Sequence, residues 1–233
     1  MLEISALNQI IECYRVLQKT GGNIVNELLR QSSNFLQWDH YPKGDVLDRT
    51  THSQYYYHAH PPVGRDIPPE HGHFHCFLRK EGMPAGALPL ALPTAKDTNQ
   101  ADLAHIIAIS MDKFGFPIGL FTTNRWVTGE AWYSAQDVIN MLDHFNIDHA
   151  WPSWPLNLWL TNMVRLFKAD IIELILERDK TINAWRLAHP GVDVFENREL
   201  EITSYKTISV DERAKLIALS PVSDTNGAEL CMV

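Results

Sequence analysis

The chain of 233 residues lacks the features that mark several large classes of protein. Its three cysteines are isolated from one another and odd in number, which argues against a disulfide framework. It has 20 basic against 28 acidic residues and no concentrated basic run, which argues against nucleic-acid binding. No stretch reaches the roughly 18 apolar residues of a membrane span. These absences predict a cytoplasmic protein that binds neither nucleic acid nor membrane.

The motifs of several common enzyme classes are absent as well. The sequence contains no P-loop, no G-x-G-x-x-G, no G-x-S-x-G and no C-x-x-C. It also lacks the cysteine pairs of structural zinc sites and the acidic loop of calcium sites. Kinases of the P-loop type, dinucleotide enzymes and serine hydrolases therefore have no support in this sequence.

The order of apolar patterns predicts the fold class. Helical spacing near the N-terminus is followed by short alternating runs joined by turns, and then by further helical patterns. Because consecutive strands are joined by turns rather than by crossover helices, we expect an α+β fold. Its sheet would be antiparallel with four to five strands between N-terminal and C-terminal helices. We expect one domain over residues 1–219 and a flexible tail over 220–233.

Histidine is the residue that the sequence has in excess. Six of its eleven histidines lie within 24 residues, and five of these six lie in two runs that read as the strands of a hairpin. Side chains on a strand alternate between faces, so the histidines of each H-x-H run share one face, and Cys76 lies on the opposite face. A symmetric register places His60 opposite His71 and His58 opposite His73.

Four imidazoles that converge on one face predict a metal site. Histidine is the commonest nitrogen ligand of zinc, copper and iron, and the set leaves the identity of the metal open among these three. Because a chain of this length needs no metal merely to fold, the ion would be functional. The predicted ligands are His58, His60, His71 and His73, with Glu70 and His105 as alternates.

The favoured function is a mononuclear metalloenzyme with redox or oxygenase-type chemistry on a small, anionic or aromatic molecule. His75 and Tyr56 would move protons, and Arg125 would orient the substrate because guanidinium binds carboxylates through two parallel hydrogen bonds. Two alternatives stay open. One is a metal-free protein that binds a small ligand or performs acid–base catalysis with its histidines, and the other is an interaction module. For Arg125 the alternative is an ion pair with an internal acid.

Several segments together carry a resemblance to a known family. They are QYYYHAHPP, PPEHGHFHCFLR, PIGLFTTNRWVTGEAWY and HAWPSWP. The chain resembles a family of uncharacterised bacterial proteins of about this length, a domain of unknown function, over most of its length. The resemblance implies a soluble bacterial protein, and it transfers no activity and no catalytic residue.

Overall fold

The computed structural model describes residues 2–30, 32–60, 69–93 and 102–219. The hairpin loop predicted after His60 and the predicted tail over 220–233 lie wholly or mainly outside these residues. The helices are α1 (Leu2–Gln18), α2 (Ile24–Leu29), α3 (Arg125–Thr128), α4 (Ala135–Met141), α5 (Trp154–Leu166), α6 (Lys168–Ala188) and α7 (Val210–Leu219). The strands are β1 (Tyr41–Leu47), β2 (Ser53–His58), β3 (Gly72–Arg79), β4 (Leu103–Met111), β5 (Pro117–Thr123) and β6 (Ile202–Thr207).

The predicted α+β class is confirmed, with helices before and after a central antiparallel sheet. The sheet has six strands in the order β1-β2-β3-β4-β5-β6, each antiparallel to its neighbour. The predicted number of four to five was too low because β1 lies in a segment, residues 38–53, whose turn formers and lack of periodicity are typical of a loop. Gly44 and Asp45 have φ angles of 87° and 58°, and the register with β2 breaks between Tyr41 and Val46. This irregularity removes the alternation by which a strand is recognised.

The two faces of the sheet have different partners. On β2, Tyr55 and Tyr57 are fully buried in the main hydrophobic core, whereas Tyr56 and His58 point to the other face. The Tyr55 hydroxyl donates a hydrogen bond of 2.6 Å to Asn157 Oδ1 of α5, which places this helix on the core face. Cys76 is buried in the same core, as predicted from alternation. The helices therefore leave the even-numbered side chains of β2 on a separate face, which we call the histidine face.

Two of the helices begin with a side-chain cap that positions the region around the site. The Ser134 side chain accepts a hydrogen bond from the Asp137 backbone N–H at the start of α4. Asn124, which directly follows β5, caps α3 in a similar way. Its side chain accepts a hydrogen bond from the Arg125 backbone N–H. None of the helices in the described segments is both long and apolar enough to cross a membrane.

The start of β3 requires glycine at position 72. A Cβ atom at Gly72 would lie 2.6 Å from the His58 carbonyl oxygen and 2.7 Å from the Tyr57 ring. Since such overpacking costs about 1–3 kcal/mol, we expect Gly72→Ala to lower the free energy of unfolding by that amount in urea denaturation.

Gly22→Ala is the matched control for this prediction. A Cβ atom at Gly22 would lie no closer than 3.5 Å to any atom, the nearest being the Leu17 carbonyl oxygen, which is ordinary van der Waals contact. Equal free energies of unfolding for the two variants would contradict the packing proposed around Gly72.

Candidate metal centre

The hairpin of β2 and β3 brings the histidines together. His58 pairs directly with His73, as predicted, and Tyr56 pairs with His75 one position further along the same face. Opposed residues in an antiparallel pair share a face and have Cβ atoms about 4.5–5.5 Å apart. Three imidazoles, those of His58, His73 and His75, therefore occupy neighbouring positions on the histidine face.

These three side chains form a group that could hold a metal ion. One nitrogen atom from each of His58, His73 and His75 lies within 4.8 Å of the others, and all three residues are buried. The Nε2 atoms of His58 and His73 are 2.7 Å apart. His75 Nε2 is buried and has no hydrogen-bond partner among the described residues. A buried ring nitrogen without a partner is costly unless something binds it, and a metal ion is one such partner.

The other ring nitrogens of two of these histidines are already engaged. His73 Nδ1 lies 2.6 Å from Glu70 Oε1, and His75 Nδ1 lies 3.0 Å from His105 Nε2. In metal sites the ligand imidazole usually gives its second N–H to a carboxylate or another acceptor, which fixes the ring and leaves the first nitrogen free for the metal. Glu70 and His105, predicted as alternate ligands, thus occupy the outer positions of this arrangement.

The environment favours the neutral form of two of the imidazoles, those of His75 and His105. Burial, together with the neighbouring histidines His73, His105, His58 and His60, holds the pKa of His75 well below its ordinary value of 6.5. Burial also lowers the pKa of His105 to about 3, with smaller contributions from the charges of Arg178 and His73. Neutral imidazole is the form that binds a metal ion, because a protonated ring has no lone pair to donate.

The remaining two predicted ligands have different positions. His60 Nε2 lies 3.1 Å from His58 Nε2, so this imidazole adjoins the three-histidine group. The His71 imidazole does not adjoin this group. Its Nδ1 lies 2.7 Å from the Tyr57 hydroxyl, and its ring stacks on Phe35. The pairing of β2 with β3 ends at His58 and His73, so the expected opposition of His60 and His71 does not extend the strands. The Tyr57 ring lies across Gly72, and its hydroxyl bonds to the His71 ring outside the histidine face.

Two of the three residues predicted to be catalytic, His75 and Tyr56, lie side by side on the histidine face. His75 is inside the three-histidine group, and the Tyr56 ring lies 5.1 Å from that of His75 and 5.3 Å from that of His58. Burial raises the pKa of the Tyr56 phenol far above its ordinary value of 10, with smaller contributions from the charges of Glu130 and Asp45, so the hydroxyl keeps its proton.

Arg125, the third of these residues, lies in α3, where it is buried. Its guanidinium donates to the Leu92 carbonyl oxygen and, over 2.7 Å, to Glu196 Oε1. The internal ion pair, which was the alternative interpretation, is the arrangement that the structure shows.

Sequence reasoning missed two aromatic groups at this site. The segment that leads into β1 places the His40 ring on Tyr56, with centroids 3.7 Å apart, and the Trp38 ring against His60 at 4.1 Å. The sequence offers no signal for the position of His40, because residues 38–53 contain turn formers and no periodicity. The site is thus walled by aromatic rings on the side of β1.

Comparisons with known proteins give a family and no activity. Neither the curated proteins nor the solved structures include a significant match to this chain. The model of one protein family matches residues 4–208, which is most of the chain and includes all of the predicted site residues. The predicted resemblance to an uncharacterised family is thereby confirmed. The chain belongs to the family described as domain of unknown function DUF6969.

Proposed function

We propose that the protein binds one transition-metal ion through His58, His73 and His75. The observation that carries this proposal is the convergence of three buried imidazoles on one sheet face, with His75 Nε2 left without a partner among the described residues. The contact between Glu70 and His73 Nδ1 supports it, because it supplies the outer carboxylate that metal-ligating histidines usually have.

Three imidazole ligands limit the choice of metal and of chemistry. Nitrogen ligands suit iron, copper and zinc, and three protein ligands leave a coordination position open for water, dioxygen or a substrate. With iron or copper we propose redox or oxygenase-type chemistry with dioxygen as the oxidant, and with zinc the ion would instead act as a Lewis acid. The molecule acted on would be small, because the group is buried within the sheet face.

Metal analysis of protein purified without a histidine tag tests the proposal. We expect about one ion per chain, since the group offers a single set of three ligands, after anaerobic incubation with Fe(II), Cu(II) or Zn(II) and removal of excess metal. Elemental mass spectrometry measures the ratio of metal to protein. Contents near zero with all three ions would contradict the proposal.

Glu70→Gln tests the outer carboxylate separately. Loss of an outer partner of a metal ligand typically costs about 10–100-fold in affinity. We therefore expect this variant to keep the site but to bind Zn(II) about 10–100-fold more weakly in competition with a chromogenic chelator. Glu81→Gln, which changes an exposed acid in the turn after β3, is the control. Equal affinities of the two variants would show that Glu70 does not support the ligand.

A second candidate function rests on the contacts among the imidazoles. Nitrogen–nitrogen distances of 3.1 Å, 2.7 Å and 3.0 Å join His60 to His58, His58 to His73, and His75 to His105. Such contacts permit proton transfer between rings and favour a metal-free acid–base protein as the alternative. The metal-free alternative predicts that EDTA treatment leaves ligand binding and activity unchanged. The metal proposal predicts that EDTA abolishes ligand binding and activity and that added metal restores them.

A further inference from the structure

One row of paired residues extends from the histidines across the rest of the sheet. His73 of β3 pairs with Ser110 of β4, Ser110 pairs with Gly119 of β5, and Gly119 pairs with Thr207 of β6. Directly opposed residues point to the same face, so Ser110 lies beside His73 on the histidine face. Adjacent strands are about 4.8 Å apart, which places Ser110 within the reach of a small molecule bound at the histidines.

The neighbouring row confirms that β5 shares this face. His75 pairs with Ala108, Ala108 with Phe121, and Phe121 with Tyr205. The Phe121 ring centroid lies 5.1 Å from that of His73 and 6.1 Å from that of His75. The aromatic ring thus packs against two of the three proposed ligands, and Tyr205 continues the same face.

The side chain of Tyr205 extends from β6 across β5, so that its hydroxyl lies over Gly119. A Cβ atom at Gly119 would lie 2.4 Å from the Tyr205 hydroxyl oxygen, so the tyrosine can lie across this strand only because residue 119 is glycine. Since Gly119 pairs with Ser110, the phenol hydroxyl and the serine hydroxyl occupy adjacent strands of one row. The Ser110 hydroxyl therefore lies one strand away from His73, and the Tyr205 hydroxyl lies two strands away on the same face.

Both hydroxyls are buried without a hydrogen bond among the described residues. Ser110 is 1% exposed, and neither its Oγ atom nor the Tyr205 hydroxyl has a partner of hydrogen-bonding geometry. Thr207 is a near neighbour of the Tyr205 hydroxyl and still does not meet that geometry. Buried polar groups are nearly always hydrogen-bonded, because burial without a partner costs free energy. A bound molecule would supply the missing partners.

The charges around this row disfavour an anion. The Glu70 carboxylate, which contacts His73, lies close enough to raise the pKa of Tyr205 in addition to the larger effect of burial. Arg125 of α3 was expected to orient an anionic substrate, but its guanidinium donates a hydrogen bond to Glu196 Oε1. Hydroxyl groups donate and accept hydrogen bonds equally well, so they suit an uncharged polar group.

We infer that Ser110 and Tyr205 bind the polar group of an uncharged small molecule, such as an amide or a carbonyl compound, placed beside the metal ion. This inference rests on the proposed function and names the substrate class of the same site. It replaces the anionic molecule expected from Arg125 by a neutral one. The Phe121 ring next to the ligands suits the apolar part of such a molecule.

Protein loaded with Co(II) tests the inference with benzamide as the probe and benzoate as its charged counterpart. The paramagnetic ion enhances the NMR relaxation of a probe bound nearby, so a titration gives the affinity of each probe. We expect benzamide to bind and to lose about three- to tenfold in affinity in Ser110→Ala and in Tyr205→Phe, the usual effect of one lost hydrogen bond. Tyr14→Phe removes a hydroxyl from α1 that contacts Trp159 in the core, and it should leave the affinity unchanged.

Two failures are distinguishable in this experiment. A chain that takes up no Co(II) contradicts the proposed function and the inference together. A chain that takes up Co(II) but binds benzoate and not benzamide, or binds benzamide equally in all variants, overturns the inference alone. The Co(II) content of each variant is measured as well. A loss of probe binding is attributed to the missing hydroxyl only where the Co(II) content equals that of the wild type.

Discussion

His75→Gln is expected to reduce the affinity for Zn(II) by more than about 100-fold, because it removes a ligand rather than an outer partner, whose loss alone costs about 10–100-fold. His75 Nε2 is the one nitrogen of the three-histidine group that is shown to be buried and without a partner among the described residues. The glutamine side chain is of similar length but has no imidazole lone pair. Competition with a chromogenic chelator measures the affinity, and elemental analysis measures the stoichiometry.

Two further variants keep this prediction open to contradiction. His58→Gln removes another member of the group and should cause a comparable loss, which separates a ligand effect from local damage around the fully buried His75. His144→Gln changes an exposed histidine after α4 and should bind metal as the wild type does. Wild-type affinity in His75→Gln, with the fold preserved by circular dichroism, would rule out His75 as a ligand.

The pairing of His58 with His73 could be predicted because it depends only on local rules. Side chains alternate along a strand, and a hairpin that is symmetric about its loop pairs residues whose numbers have a constant sum. The structure keeps this register along the whole of β2 and β3. The same rules place Cys76 in the core, where it is found.

The departures arise from contacts between residues that local rules do not connect. His71 leaves the histidine face because Tyr57, a residue of the opposite face, extends over Gly72 and meets its ring. Arg125 lies in a helix because the Asn124 side chain caps it, and the acid that pairs with Arg125, Glu196, lies 71 residues further along the chain. Alternation alone contains no information about either event.

The hydroxyl row shows how irregularities in strand pairing limit prediction. Ser110 could be assigned to a strand from the sequence, but its neighbours depend on two register shifts. One lies in the pairing of β3 with β4 at Cys76/Phe77, and the other in the pairing of β4 with β5 at Ser110/Met111. A shift of one residue changes which side chains are opposed. Because Tyr205 is far away in sequence and lies on the last strand, only the folded sheet places its hydroxyl over Gly119, in the row that contains Ser110 and His73.

Glu130 is a buried carboxyl group that sequence reasoning did not single out. It is 2% exposed and accepts a hydrogen bond from the Thr128 hydroxyl. Burial raises its pKa from 4.5 to about 7, although Thr128, its own backbone N–H, and the charges of Arg178 and Arg125 act in the opposite direction. Between pH 4.5 and pH 7 the unfolded chain has therefore lost this proton while the folded protein still holds it.

Stability should therefore depend on pH through Glu130, and the sign follows from this difference in protonation. Since the unfolded chain binds fewer protons, the free energy of unfolding falls as pH rises from 4.5 to about 7 and is level above that range. One pKa unit corresponds to about 1.4 kcal/mol, so the contribution amounts to roughly 3 kcal/mol. Glu130→Gln stays neutral at every pH and should remove this fall.

The measurement compares the free energy of unfolding of Glu130→Gln with that of the wild type in urea at pH 5 and at pH 8. The difference between the two proteins isolates Glu130, because the histidines, whose lowered pKa values make stability rise with pH, are present in both. We expect the free energy of unfolding of the variant to rise by about 2.5 kcal/mol relative to that of the wild type between pH 5 and pH 8. Arg178 keeps its contact with Asp179 in the variant, so it is not left unpaired. A difference that is the same at pH 5 and pH 8 would show that Glu130 is ionised in the folded protein throughout this range.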